Sequence, residues 1–245
     1  MPVIYSSSSG TTDDGYMYKV AQTSWANARD ATSATVQTGS TRTTLFTSVY
    51  RLAGRGGGDV YGVYRSFMVF DTSGITGTVA SAELSIRGYS ANDGSVIAVK
   101  STAYGGDGGT ALSTGDFDAI SGWSSGSSLA GSATVYGAQK TTTNWTTSGW
   151  NDFTATSDLL TDMKNNDVVI ICFMDYTNDY LNSALTSNAS LNCGGYYADY
   201  PGTAYDPHID YTLAGYSNNV NGVAAANIAK VNGVATANIS KVNGI

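Results

Sequence analysis

The stretch Tyr64–Ile86, YRSFMVFDTSGITGTVASAELSI, decides the fold. Phe67 and Val69 point one way along an extended backbone, and Ser66, Met68 and Phe70 point the other, so both faces carry apolar groups. That pattern predicts a strand covered on both sides, as in a two-sheet sandwich. Asp71, Thr72, Ser73 and Gly74 supply turn chemistry. Ala80, Ala82, Leu84 and Ile86 then alternate with Val79, Ser81, Glu83 and Ser85, the period of a strand with one buried face. The stretch reads as a core hairpin.

Further strands follow from the same signals. They fall at Tyr16–Val20, Thr35–Gln37, Leu45–Tyr50, Tyr61–Phe70, Ser95–Ser101, Trp150–Thr154, Leu191–Ala198 and His208–Leu213. Ala133–Tyr136 and Gln139–Thr143 read as two short ones. Val168–Phe173 is apolar on both faces and reads as the most buried strand. One short helix is expected over Asp158–Lys164 with Ser157 as its N-cap, and Ser24–Asp30 reads as a helical turn or an ordered loop. Gly54–Gly58 is followed by a strand rather than a helix, so it reads as a loop and not a phosphate cradle. The expected fold is therefore all-β, a jelly-roll-like antiparallel β-sandwich spanning residues 1–213.

At several points the chain resembles the DNRLRE-type, carbohydrate-binding-module-like β-sandwich domains. The resemblance rests on Phe70-Asp71, the Ser73-Gly74-Ile75 loop, and Thr78, Ser81, Ala82, Leu84 and Ile86 in the spacing T-x-x-S-A-x-L-x-I. A strand at Trp150 running into a short helix, and the closing run Tyr205-Asp206-Pro207-His208-Ile209-Asp210-Tyr211, extend it over residues 10–213. Such domains occur in bacterial surface proteins and as structural proteins of tailed phages. The resemblance implies a scaffold or glycan-binding role.

Composition narrows the partners. Of 245 residues, 42% are hydrophobic, enough for a sizeable core, and only 13% are charged, about half the usual share. Gly, Ser, Thr, Asn and Tyr dominate instead, as on extracellular and virion surfaces. A net charge of −7 with twelve scattered basic residues provides no phosphate-neutralising patch, so nucleic acid is not an expected partner. No apolar run is long enough for a membrane span. The opening MPVIYSSSSGTTDDGY lacks the basic and apolar regions of an export signal. A virion component assembled in the host cytoplasm and displayed on the particle surface would reconcile these features, as would a secreted chain whose signal has been removed.

Residues 214–245 differ in kind. Val220–Lys230 recurs as Val231–Lys241 and begins again at Val242-Asn243-Gly244-Ile245, a period of 11 residues. Val220, Val223, Ile228, Val231, Val234, Ile239, Val242 and Ile245 are the apolar positions of this arm. Eleven residues approximate three helical turns, yet an Asn-Gly pair in each repeat favours turns. A strand–turn repeat is preferred, with a helix as the alternative. Repeats this few cannot bury an apolar face by themselves, so an assembly role is expected. The partners would be copies of this chain, a trimer being one candidate, and other virion proteins. The repeats resemble C-terminal repeats of phage structural proteins.

Catalytic chemistry is not expected. The single histidine, His208, reads as a surface residue, and nothing brings Asp175, Asp179, Asp199 and Asp206 together in pairs. No spacing of metal ligands is present. Calcium is the one cofactor left open, through Asp107, Asp116 and Asp118 of a long loop. Cys172, in an apolar run, reads as a buried thiol, with a disulfide to Cys193 as the alternative. A cell-surface glycan is the alternative partner, bound by ring stacking on Tyr200 and Tyr205. Three functions remain: a virion structural protein (capsid decoration, head fibre or tail fibre), a carbohydrate-binding module of a bacterial surface protein, or a subunit of an extracellular filament.

Overall fold

In the computed structural model, which describes residues 1–8, 10–39, 44–54, 57–215, 230–231 and 234–235, Tyr64–Ile86 contributes to two strands that do not form a hairpin. Asp59–Asp71 forms β5 and Val79–Asn92 forms β6; the other strands are β1 Val3–Tyr5, β2 Gly15–Gln22, β3 Thr35–Thr38, β4 Thr44–Ala53, β7 Ser95–Lys100, β8 Val135–Thr141, β9 Trp150–Thr154, β10 Val168–Met174, β11 Ala189–Tyr196 and β12 His208–Leu213. Helices α1 (Trp25–Arg29) and α2 (Ser157–Asn165) are short. β5 pairs with β2, β4 and β10, all antiparallel, whereas β6 pairs with β9, β11 and β12. The expected core hairpin is thus corrected to an arch across the core: β5 and β6 share no ladder and are linked only through β4 and β11 of one twelve-stranded sheet that folds over on itself. The reason lies in the connection: residues 72–78 exceed the usual hairpin loop, and they bury Thr72 and Ile75 on the way across. The hairpin at this position in the chain is instead β4–β5, closed around the glycine-rich loop, with Ala53 opposite Asp59 and an Arg51–Asp59 ion pair of 2.7 Å.

The two-faced reading of β5 holds. Met68 and Phe70 enter one core with Val169, Ile171 and Phe173 of β10, Leu84 and Ile86 of β6, Phe153 of β9 and Ile209 of β12. Strands that share no ladder meet there side chain to side chain, which makes the molecule a β-sandwich. Phe67 and Val69 enter a second core with Val63, Val99, Ile170 and Cys172, roofed by α1 and by the long segment between β7 and β8 through Tyr104, Phe117 and Leu129. Isolated bridges Ser6–Phe70 and Gly137–Ala155 tie the layers together. Cys172 and Cys193 are free and buried in different cores, so they are not partners.

Several local readings shift. Val79 is buried and Ala80 exposed because the β6–β12 register slips between Thr212 and Leu213. Such a bulge inverts the alternation for one residue. The two short strands expected over 133–143 are one strand, β8. Gly137 within it lies against Phe153, whose Cβ would sit 2.7 Å from a Cβ at that position. The cap of α2 is Thr156, not Ser157: its hydroxyl accepts from the Leu159 N–H and donates to the Val135 carbonyl. Leu159 and Met163, four residues apart, drop into the first core. The last sandwich strand ends at Leu213. In the arm, Lys230–Val231 (β13) and Val234–Ala235 (β14) pair antiparallel, Val231 opposite Val234. That agrees with the strand–turn reading at these four residues and not with the helix. Val220, Val223, Ile228, Ile239, Val242 and Ile245 lie outside the described residues.

Candidate functional site

The outward face of the β1–β12–β6–β9 layer is fixed by what its strands bury. Leu84, Ile86, Phe153 and Ile209 point into the core, so their neighbours along each strand point out. Register then sets Tyr5, His208, Ser85 and Asp152 in one row across the four strands, with Val3, Asp210, Glu83 and Thr154 in the next. Arg87 is opposite Trp150. The Trp150 and His208 rings meet edge-to-face at 4.7 Å, and Tyr5 lies 5.8 Å from His208. His208 is held by its own segment: Nδ1 is 3.0 Å from the Asp206 carbonyl and Nε2 is 3.4 Å from the Asp210 carboxylate.

The two tyrosines predicted from sequence are brought together beside this row. Tyr200 and Tyr205 are 5.4 Å apart, and both contact Tyr196, at 4.4 and 4.8 Å. Tyr89 meets Tyr196 edge-on at 5.4 Å, and the Arg87 guanidinium lies 5.2 Å over the Tyr205 ring. Tyr5 and Tyr89 are more than half exposed. The face therefore offers rings, one cation, and the Asp152, Asp210 and Glu83 carboxylates as hydrogen-bonding groups, while Ser85 is buried beneath it and donates to Asp152. Flat apolar surface beside spaced acceptors and donors suits a polyhydroxylated ligand. Sequence reasoning missed Arg87, Tyr89 and Tyr5 because β6 and β1 reach this face only through long-range pairing.

The other candidate acids have local duties. Asp107 accepts from the Gly109 N–H, and Asp116 accepts from the backbone and hydroxyl of Ser113, so both close turns. Among the described residues, no three His, Cys, Asp or Glu side chains are gathered as a metal ion needs. Asp175 accepts from Ser95 and from the Asn178 N–H. Asp179 takes a two-pronged ion pair from Arg65.

That ion pair is the centre of a buried network that sequence reading did not anticipate. Arg65 Nε and Nη2 each stand 2.7 Å from an Asp179 oxygen, Nη1 donates to the Phe117 carbonyl, and Nη2 also reaches the Arg29 carbonyl. Arg29 donates to the carbonyls of Asp179 and Ser127 and pairs with Asp30. Trp123 covers both guanidiniums at 4.5 Å, and Phe117 lies 4.1 Å from that of Arg65. The two cations are matched by two carboxylates, and the network ties α1, β5, the segment before β8 and the segment after β10 into one body. Its role is structural.

A scan against protein-family models finds no match for this chain, and a comparison with curated proteins finds none either.

Proposed function

We propose that this chain is a structural protein of an extracellular particle, best described as a virion component of a tailed phage. In this reading the sandwich is displayed outward and the C-terminal repeat arm holds it in the assembly. The observation that carries the reading is the 11-residue recurrence from Val220 to Ile245. It sets apolar residues in register within a segment too short to cover them by itself. The antiparallel pairing of Val231 with Val234 adds support, because strand–turn units add readily to the edges of other strands. Removing residues 216–245 is expected to reduce the particle-free protein to monomers, read as mass by light scattering. An unchanged oligomeric mass would remove the arm from the account.

A second reading is favoured by the aromatic face: the sandwich binds a glycan of a cell surface. Tyr205 touches Tyr196, Tyr200 and the Arg87 guanidinium, so it organises the cluster. Ring stacking is worth about 0.5–1.5 kcal/mol per pair. Tyr205→Ala is therefore expected to weaken a glycan found by array screening by about tenfold or more, since several contacts go at once. Binding that is indifferent to Tyr200→Ala and Tyr205→Ala, or no binding across the array, would retire this reading.

A further inference from the structure

Asp14 is fully buried, and its two carboxyl oxygens have different surroundings. Oδ2 accepts from the Ala198 N–H at 2.9 Å and from the Ser6 hydroxyl at 3.3 Å. Oδ1 is buried and has no donor, and the same holds for Asp199 Oδ2, Asp13 Oδ1 and Asp206 Oδ1. The Ala198 N–H that holds Asp14 Oδ2 directly precedes Asp199 in the chain, which makes the two carboxyl groups neighbours, each raising or lowering the other's pKa. Ionised carboxylates only accept, so this contact is repulsive unless a proton lies in it.

The surroundings offer no other compensation. Asp13 faces Asp199 from the N-terminal turn, Asp206 faces it from the 197–206 segment, and His208 of β12 faces Asp206. The buried hydroxyls of Tyr104 and Tyr197 face Asp14 from the segment after β7 and from the end of β11. The groups that act most strongly on Asp14, Asp199 and Asp206 include no lysine or arginine.

We propose that Asp14 and Asp199 share one proton, Asp14 donating from Oδ1 to the Asp199 carboxylate, and that this bond is a pH-sensitive latch. What it holds is the 197–206 segment, which carries Tyr200 and Tyr205. Asp14 reaches this segment at the Ala198 N–H, beside Asp199; further ties are the Tyr197–Ser66 hydroxyl contact, the packing of Tyr200 and Tyr205 on Tyr196, the Arg87 guanidinium over Tyr205 and the Asp206 carbonyl facing His208. Loss of the proton sets two adjacent anions against each other at the base of the aromatic cluster. The latch stands whether or not that cluster binds a glycan.

Its sign is set by burial, which pushes the Asp14 carboxyl from its ordinary 3.8 up to about 8. A proton kept by the folded chain and released by the unfolded one stabilises fully below the unfolded value. That stabilisation shrinks as pH rises and is gone above the folded value. The folded-to-unfolded ratio is expected to fall by up to about tenfold per pH unit between about pH 4 and pH 8.

The test compares wild type with Asp14→Asn from about pH 5 to about pH 9, reading thermal midpoints together with proteolytic cleavage inside 197–206. Asparagine keeps the acceptor for Ser6 and Ala198, and its amide donates to Asp199 at every pH. The variant should show a shallower profile, the remainder coming from carboxyls such as Asp175 that burial also holds up, and above about pH 8 it should melt later and be cleaved more slowly than wild type. Asp199→Asn, whose amide donates to Asp14 but leaves it buried, should give a profile between those of wild type and Asp14→Asn, and serves if the first variant folds poorly. A wild-type slope that is unchanged in both variants overturns the latch. So does a rise of the wild-type midpoint with calcium chloride above about pH 8 that the Asn variants lose, since it would put a cation where the proton is proposed.

Discussion

Asp179→Ala is expected to cost about 3–5 kcal/mol of folding stability, measured by urea unfolding, because it strands a guanidinium in a dry interior. Arg65 and Arg29 have no exposed side-chain surface, and neither does Asp179. Desolvation already pushes the Arg29 pKa down, with Asp179 the largest opposing influence. Removing the carboxylate leaves Arg65 with backbone carbonyls only, and no water can reach it without opening the roof formed by Trp123 and Phe117. The cost comes from the unpaired charge rather than from the value of the pair itself. A double variant, Arg65→Met with Asp179→Leu, should therefore lose less than Asp179→Ala alone, because both charges leave together. If the single substitution costs under about 1 kcal/mol, the network is not the clasp described here.

That network also shows where sequence reading stops. Strands were legible wherever side chains alternate or run apolar, as at Phe67–Phe70 and Val168–Phe173, because a period of two is a local property of extended chain. Partnership is not local. Nothing within Tyr64–Ile86 says that β6 will lie across the core from β5 rather than beside it; the choice depends on β10 and β4 occupying the β5 ladder. Buried charge is hidden for the same reason. Arg29, Arg65 and Asp179 look like surface residues in their own segments, and their burial follows only once three distant stretches converge. The aromatic face was half legible: Tyr200 and Tyr205 stood out as rings on a connecting segment, whereas Arg87 and Tyr89 arrive from a strand more than a hundred residues earlier. The bond from the Ala198 N–H to Asp14 links the two ends of the sandwich, and no spacing rule reaches that far.

Phe153→Ala should cost about 3–5 kcal/mol, the usual range for emptying a fully buried aromatic site. Phe153 is 1% exposed, on β9, at the place where the outer layer is tied to the inner one by the Gly137–Ala155 bridge. Its ring lies 6.4 Å from Trp145 and 6.0 Å from Phe173, and the Lys140 ammonium sits 5.3 Å from it. Gly137 is glycine so that β8 can pass directly over the Phe153 Cβ, 2.7 Å from where its own Cβ would stand. The backbone here is therefore shaped around this ring and cannot collapse freely into the space it leaves. A site that relaxes poorly sits at the upper end of the cavity cost. The same geometry gives a paired expectation: Gly137→Ala should be destabilising in wild type by about 1–3 kcal/mol through overpacking. In the Phe153→Ala background the Cβ contact at 2.7 Å stays while the ring contacts at 3.2 Å to Cδ1 and 3.3 Å to Cγ fall away, so the double variant should lose somewhat less than the two costs summed. Strict additivity in chemical denaturation would show that the strand and the ring are not packed against each other as described.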